Sequence, residues 1–134
     1  GTAVYKKMFS LKEKHLEIPV RLHLGEVHNI ARVHLNDNDL GVVWTAPWIM
    51  DLTDALKEGE NKLEIEVTNC WINRLIGDAA LLPEKRFTET NVRLVSERGN
   101  YRSFEAVAAN DSLLPSGLVG PVQLKFGDKK KISY

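Results

Sequence analysis

The chain has 134 residues, 43% of them hydrophobic, with 18 Lys and Arg balanced by 18 Asp and Glu. That length fits one domain with a core of its own, and the composition is that of a soluble globular chain rather than a disordered one. Zero net charge leaves no basic field to hold a phosphate backbone, so a nucleic-acid partner is not expected. No apolar run is long enough to span a membrane, so no membrane partner is expected either.

The opening GTAVYKKMF, with Tyr5 and Phe9, reads as a strand. It begins without a signal peptide, as an excised domain would, and any export signal is expected outside it. Leu22 and Leu24 suggest another strand, and Ala31, Val33 and Leu35 alternate with Arg32 and His34. Such period-two patterns place one face on a core. Asn36-Asp37-Asn38-Asp39 is a turn cluster of residues that tolerate left-handed backbone, so it should join two antiparallel strands. Trp44, Pro47 and Trp48 make an aromatic loop. Asp51 can cap a short helical turn over Leu52–Lys57, with Gly59 ending it. Leu63, Ile65 and Val67 then alternate with Lys62, Glu64, Glu66 and Thr68.

Trp71 to Glu89 lacks clean periodicity and reads as a long ordered loop. Val92 and Leu94 suggest a further strand, and Ala106 to Gly120 a second long loop. Ser116–Gly120 reads as a tight turn into a strand where Val122, Leu124 and Phe126 alternate with Gln123 and Lys125. Gly127-Asp128 marks a last hairpin before Lys131–Tyr134, and Lys129–Lys131 form a solvated basic run. Many short strands and few helices point to an all-β sandwich or barrel.

Candidate chemistry is sparse. Glu64 and Glu66 lie two apart on one strand, roughly 6.5–7 Å between Cα atoms. That resembles an inverting glycosidase pair, but such carboxylates must approach a bond from opposite sides. These stand side by side and read as charged edge-strand residues. His23 and His34 fall on outward faces and can meet across a ladder, yet no spacing supplies further metal ligands. Asp37 and Asp39 are weak calcium candidates in a cluster that hairpin chemistry already explains. Cys70 has no disulfide partner and reads as a buried small hydrophobe. No nucleophile elbow, P-loop or dinucleotide fingerprint occurs. No cofactor is expected.

The aromatic residues carry more. Trp44 and Trp48 can pack on a core, stack on the apolar face of a sugar ring or meet a neighbouring domain. Trp71, Asn73, Arg74 and Asp78 offer a mixture of aromatic and polar groups suited to sugar contact. Docking or loop bracing, with Arg74 paired to Asp78, suits them better.

Val33, Leu35, Asn36, Leu40, Gly41, Pro47, Asp51, Leu56, Gly59, Asn61, Leu63, Ile65 and Val67 follow a pattern that resembles the galactose-binding-like jelly roll. This domain is similar to the sugar-binding domain of family 2 β-galactosidases and β-glucuronidases. Asp37 stands where that pattern has Gly, and Leu52 where it has Ile. LHLGEVHNIARVHLN, WINRLIGD and LLPSGLVGPVQL resemble the C-terminal region of glycoside hydrolase family 106, mainly bacterial α-L-rhamnosidases.

The resemblance implies one jelly-roll β-sandwich over 1–134 with one short helical turn, cut from a periplasmic or secreted enzyme. It implies a non-catalytic domain whose partner is the catalytic domain of the same parent chain. A carbohydrate-binding module for plant-type or pectic oligosaccharides, often with a structural calcium, is the other role it suggests. An exposed apolar patch at Trp71, Ile72 and Leu75 is expected where a parent covers them.

Overall fold

The computed structural model describes residues 1–88 and 107–127. The chain forms two compact units, Gly1–Asn69 with Ser116–Tyr134, and Cys70–Pro115. All strands among the described residues belong to the first unit.

In chain order these strands are β1 Thr2–Leu11, β2 Val20–His23, β3 Glu26–His28, β4 Ile30–Leu35 and β5 Asn38–Val43. They continue as β6 Ile49–Asp51, β7 Gly59–Thr68, β8 Gly117–Gly120 and β9 Gln123–Phe126. One sheet has the order β1-β7-β4-β5, a second β6-β2-β9, and β3 pairs with β8 alone. Every pair is antiparallel, and β1 follows β7 over its whole length, from Thr2 opposite Thr68 to Leu11 opposite Gly59.

The alternation along β4 and β7 is the reason these strands face inward on one side. Ala31, Val33 and Leu35 are buried from β4, and Leu63, Ile65 and Val67 from β7. Leu22 of β2 and Leu24 just beyond it close the same core from the second sheet, with Val27 and Leu52. Burial of each of the Val, Leu and Ile side chains contributes about 1.5–3 kcal/mol. The first unit is therefore a β-sandwich.

The turns form where their residues permit. Asn36 (φ 52°) and Asp37 (φ 65°) take left-handed backbone between β4 and β5, as a two-residue hairpin turn requires. The expected helical turn after Asp51 is a single 3-10 turn at Thr53–Ala55. The Asp51 carboxylate accepts hydrogen bonds from the Thr53 amide (2.9 Å) and hydroxyl (2.6 Å) there. Gly25 (φ +72°) lets β2 pass into β3 against the backbone of Gly120. A Cβ at position 25 would lie 2.2 Å from the Gly120 carbonyl carbon. Only glycine meets both demands.

The second unit contains α1, Ile72–Ala79, where the sequence suggested a loop from Trp71 to Glu89. Ile72, Ile76 and Ala79 recur at i, i+4 and i+7, and Ile76 is buried, so the apolar face of a short helix is present. Other readings change as well. Ser116–Gly120 is not a tight turn alone, because Gly117–Gly120 is β8. In β9 Leu124 packs on the core while Phe126, like Val122 before it, is substantially exposed. Cys70 is exposed rather than buried. The proposed strand at Val92 and Leu94, the hairpin at Gly127-Asp128 and the lysines 129–131 lie, wholly or in part, outside the described residues.

Candidate functional site

Helix α1 gathers the polar and aromatic candidates of the second unit. Asn73 uses both ends of its amide on one residue: Nδ2 donates to the Leu114 carbonyl (2.7 Å) and Oδ1 accepts from the Leu114 amide (2.8 Å). That pair imitates a strand ladder and fastens the loop before β8 to the helix. Asp78 is 2% exposed. Its Oδ2 accepts from the Thr88 hydroxyl (2.7 Å), the Thr88 amide (2.8 Å) and the Phe87 amide (3.1 Å). Arg74, one turn earlier, places Nη1 3.6 Å from Asp78 Oδ1 and its guanidinium 4.7 Å from the Phe87 ring centre. The Thr88 hydroxyl, opposed by burial and joined by the two amides and Arg74, holds the Asp78 carboxyl below its ordinary value.

These tethers fix a frame around which large apolar side chains face outward. Trp71 is 67% exposed and Phe87 78%, and Leu75, Leu82, Leu113 and Leu114 are exposed with them. Ile72 is half-buried. Asn73 holds Leu114 at the helix, while Asp78 and Arg74 hold Phe87 there. Sequence reading singled out Trp71, Ile72 and Leu75. It missed Leu82, Phe87, Leu113 and Leu114, whose part depends on those long-range tethers.

Trp44 and Trp48 belong to the first unit and do not form one platform. Trp48 (φ 43°) packs against the core, and its carbonyl accepts from the Leu24 amide at 3.0 Å. Trp44 is 72% exposed in the β5–β6 connection.

The outer face of the four-stranded sheet holds the remaining acidic candidates. Glu64 and Glu66 lie on β7, an interior strand between β1 and β4, and so are not edge residues. Lys6 pairs with Glu64 at 2.9 Å and holds its carboxyl below the ordinary value. Asp37 meets Lys62 at 3.1 Å. Asp39 is bound by Arg32, which together with the Gly41 amide lowers its pKa to about 2. Asp37, Lys62, Glu64, Glu66 and His34 border a cleft of about 170 Å³. His34 lies in this sheet and His23 in the other, so the two do not meet across a ladder. Among the described residues no group of three or more His, Cys, Asp or Glu is arranged to hold a metal.

Residues 2–99 match the sequence profile described as glycosyl hydrolase 2 galactose-binding domain-like. The chain belongs to that family. This galactose-binding-like domain is 40% identical to a protein of Formosa agariphila provisionally named a β-glucuronidase, over 98% of this chain and 12% of that protein. A rhamnosidase structure from Novosphingobium sp. PP1Y superimposes with a TM-score of 0.73 at 34% identity, over 92% of this chain and 11% of that one. The domain thus spans about an eighth or less of the length of these relatives, which are glycosidases by name.

Proposed function

We propose that this galactose-binding-like domain is a non-catalytic accessory domain of a larger bacterial glycoside hydrolase, bracing the catalytic domain or shaping its substrate cleft. The observation that carries the reading is the outward-facing apolar surface around α1, tethered rather than loose, in a domain spanning 11–12% of its relatives. Exposed apolar patches of this kind mark surfaces that another body covers. Family 106, a C-terminal position and an α-L-rhamnosidase parent are the finer reading. The Novosphingobium rhamnosidase supports the last of these.

The double variant Trp71→Ser, Leu75→Ser tests it. Both side chains are exposed, so the isolated 134-residue chain should keep its melting temperature to within about 2 °C. In the longer enzyme carrying this domain, the same substitutions should lower the temperature of heat inactivation by at least about 5 °C. An unchanged enzyme would exclude docking through this surface.

A second reading, a carbohydrate-binding module, draws on the exposure of Trp44. Calorimetric titration with rhamnose-containing oligosaccharides distinguishes it: heat that disappears in Trp44→Ala supports a module, and flat titrations reject it.

A further inference from the structure

The four-stranded sheet ends in β1 on one side and β5 on the other, and the two edges are built differently. β5 has six residues, and its pairing slips between Val33 and His34, leaving Leu40 as the extra residue of a bulge. Asp39, paired with Arg32, stands on the same strand. Shortness, a bulge and a charge are the usual protections of an edge. β1 runs ten residues with no slip in register and no proline. Thr2 to Met8 are all exposed, and among the described residues no strand pairs with the far side of β1.

One bond fixes which backbone groups that edge leaves open. The Asn69 amide donates to the Gly1 carbonyl (3.1 Å), so the opposed residues Gly1 and Asn69 form a hydrogen-bonded pair. Such pairs fall at every second residue of an antiparallel ladder. Ala3, Tyr5, Lys7 and Phe9 therefore direct their amides and carbonyls to β7. Thr2, Val4, Lys6, Met8 and Ser10 turn theirs away from it. The side chains of these five stand on the outer face of the sheet, since the inner face is that of the buried Leu63, Ile65 and Val67.

The edge is self-complementary about Lys6. A two-fold axis there sets Val4 of one copy against Met8 of the other, and Thr2 against Ser10, on the outer face. Tyr5 meets Lys7 and Ala3 meets Phe9 on the inner face. Val4 and Met8 are each about half exposed, and the pairing covers both. Lys6 faces its own counterpart, a contact that would be destabilising between bare charges. Glu64, however, holds each ammonium at 2.9 Å. An axis at Tyr5 sets Val4 against Lys6 and Thr2 against Met8. An axis at Lys7 brings two lysines together on the inner face, where the residue opposite is Leu63 and not a carboxylate.

We propose that β1 is a self-association edge, to which a second copy of this chain adds its own β1, antiparallel and centred on Lys6. The two four-stranded sheets become one continuous sheet. Each outward amide and carbonyl from Thr2 to Ser10 gains a partner, along about 30 Å of ladder. The pairing rests neither on the accessory-domain reading nor on the surface around α1.

Sedimentation equilibrium tests it on the 134-residue chain carrying Trp71→Ser and Leu75→Ser, which removes the α1 surface as a rival contact. Reversible dimers are expected. Met8→Pro takes away an outward amide and nothing from the β7 ladder, a place where an edge strand tolerates proline. It should weaken the dimer at least about tenfold, because two symmetry-related hydrogen bonds are lost. Glu64→Gln alters no backbone group and should weaken it several-fold by leaving the Lys6 pair bare.

Cross-linking in a Cys70→Ser background reads the register. Cα atoms at the axis lie about 5.5 Å apart, within disulfide reach, whereas the two copies of residue 4 are more than about 13 Å apart. Mild oxidation should therefore give a covalent dimer from Lys6→Cys and none from Val4→Cys. A chain that stays monomeric up to about 1 mM overturns the proposal. So do dimers untouched by Met8→Pro, or equal cross-linking at both cysteines. A longer enzyme carrying this domain that gives no Lys6→Cys dimer also overturns it, because the edge then belongs to another part of the parent.

Discussion

Asn61 is fully buried on β7 and uses its whole amide. Its Oδ1 accepts from Asn36 Nδ2 (2.8 Å) and the Lys57 amide (3.0 Å), and its Nδ2 donates to the carbonyls of Lys57 (2.8 Å) and Gly59 (3.1 Å). Asn36 in turn donates to the Ala55 carbonyl and accepts from the Lys62 amide. Two asparagines thus lock the β4–β5 hairpin turn to the turn that opens β7. Asn61→Ala strands several buried polar groups at once, and should cost about 2–4 kcal/mol in a denaturant titration. A loss under about 1 kcal/mol would show that water replaces the amide. The position was visible in the sequence as Gly-x-Asn before an alternating strand. Its partners were not, because Asn36 and Asn61 are joined by the pairing of β4 with β7 and not by spacing.

At the scale of elements, legibility followed periodicity. β4 and β7 announced themselves through alternate buried residues, and Asn36-Asp37 through turn chemistry. Helix α1 did not, although Ile72, Ile76 and Ala79 keep helical spacing. It is only eight residues long, interrupted by Gly77 and without a side-chain N-cap, so each local signal is weak. Its exposed apolar residues blur the face that is buried. What holds the helix to its surroundings is long-range, above all the carboxylate of Asp78. Asp78→Ala removes the acceptor for three donors. Hydrogen exchange should report it directly: the Phe87 and Thr88 amides lose protection at least about tenfold while those of β4 and β7 keep theirs. Unchanged exchange at those two amides would mean that Asp78 is not the tether. Which histidines shared a sheet was equally hidden, since β2 and β4 look alike as patterns and differ only in topology.

Over the described residues, the carboxylates and the histidine with shifted equilibria point one way. Asp39, Asp51, Glu64 and Asp78 have pKa values lowered in the folded state, so they favour folding above their unfolded values, ordinarily about 4. That contribution fades as acid approaches the folded value, about 2 for Asp39. His23 is also lowered, so protonation is resisted in the fold and its share of stability is lost as pH falls below about 6.5. The melting temperature should therefore decline in two stages on acidification, a small one below about pH 6.5 and a larger one below about pH 4.5. His23→Gln should erase the first and leave the second. A maximum in stability near pH 5 would contradict the direction for His23.

The first unit is built from two separated stretches of chain, and that has a consequence for the order in which it can be completed. β1, β4, β5 and β7 all lie before residue 70, so the four-stranded sheet can pair as soon as β7 has emerged during synthesis. β2 and β3 cannot be completed then, because their partners β9 and β8 follow the second unit. At ordinary elongation rates the intervening residues 70–115 take roughly 2–9 s to make. For that interval the free flank of β2 is an open strand edge over a half-covered core, the moment at which a nascent chain is most prone to pair with the wrong neighbour. Arg21 is exposed along that flank, and its charge repels a second copy of the same edge until β9 arrives to take the place.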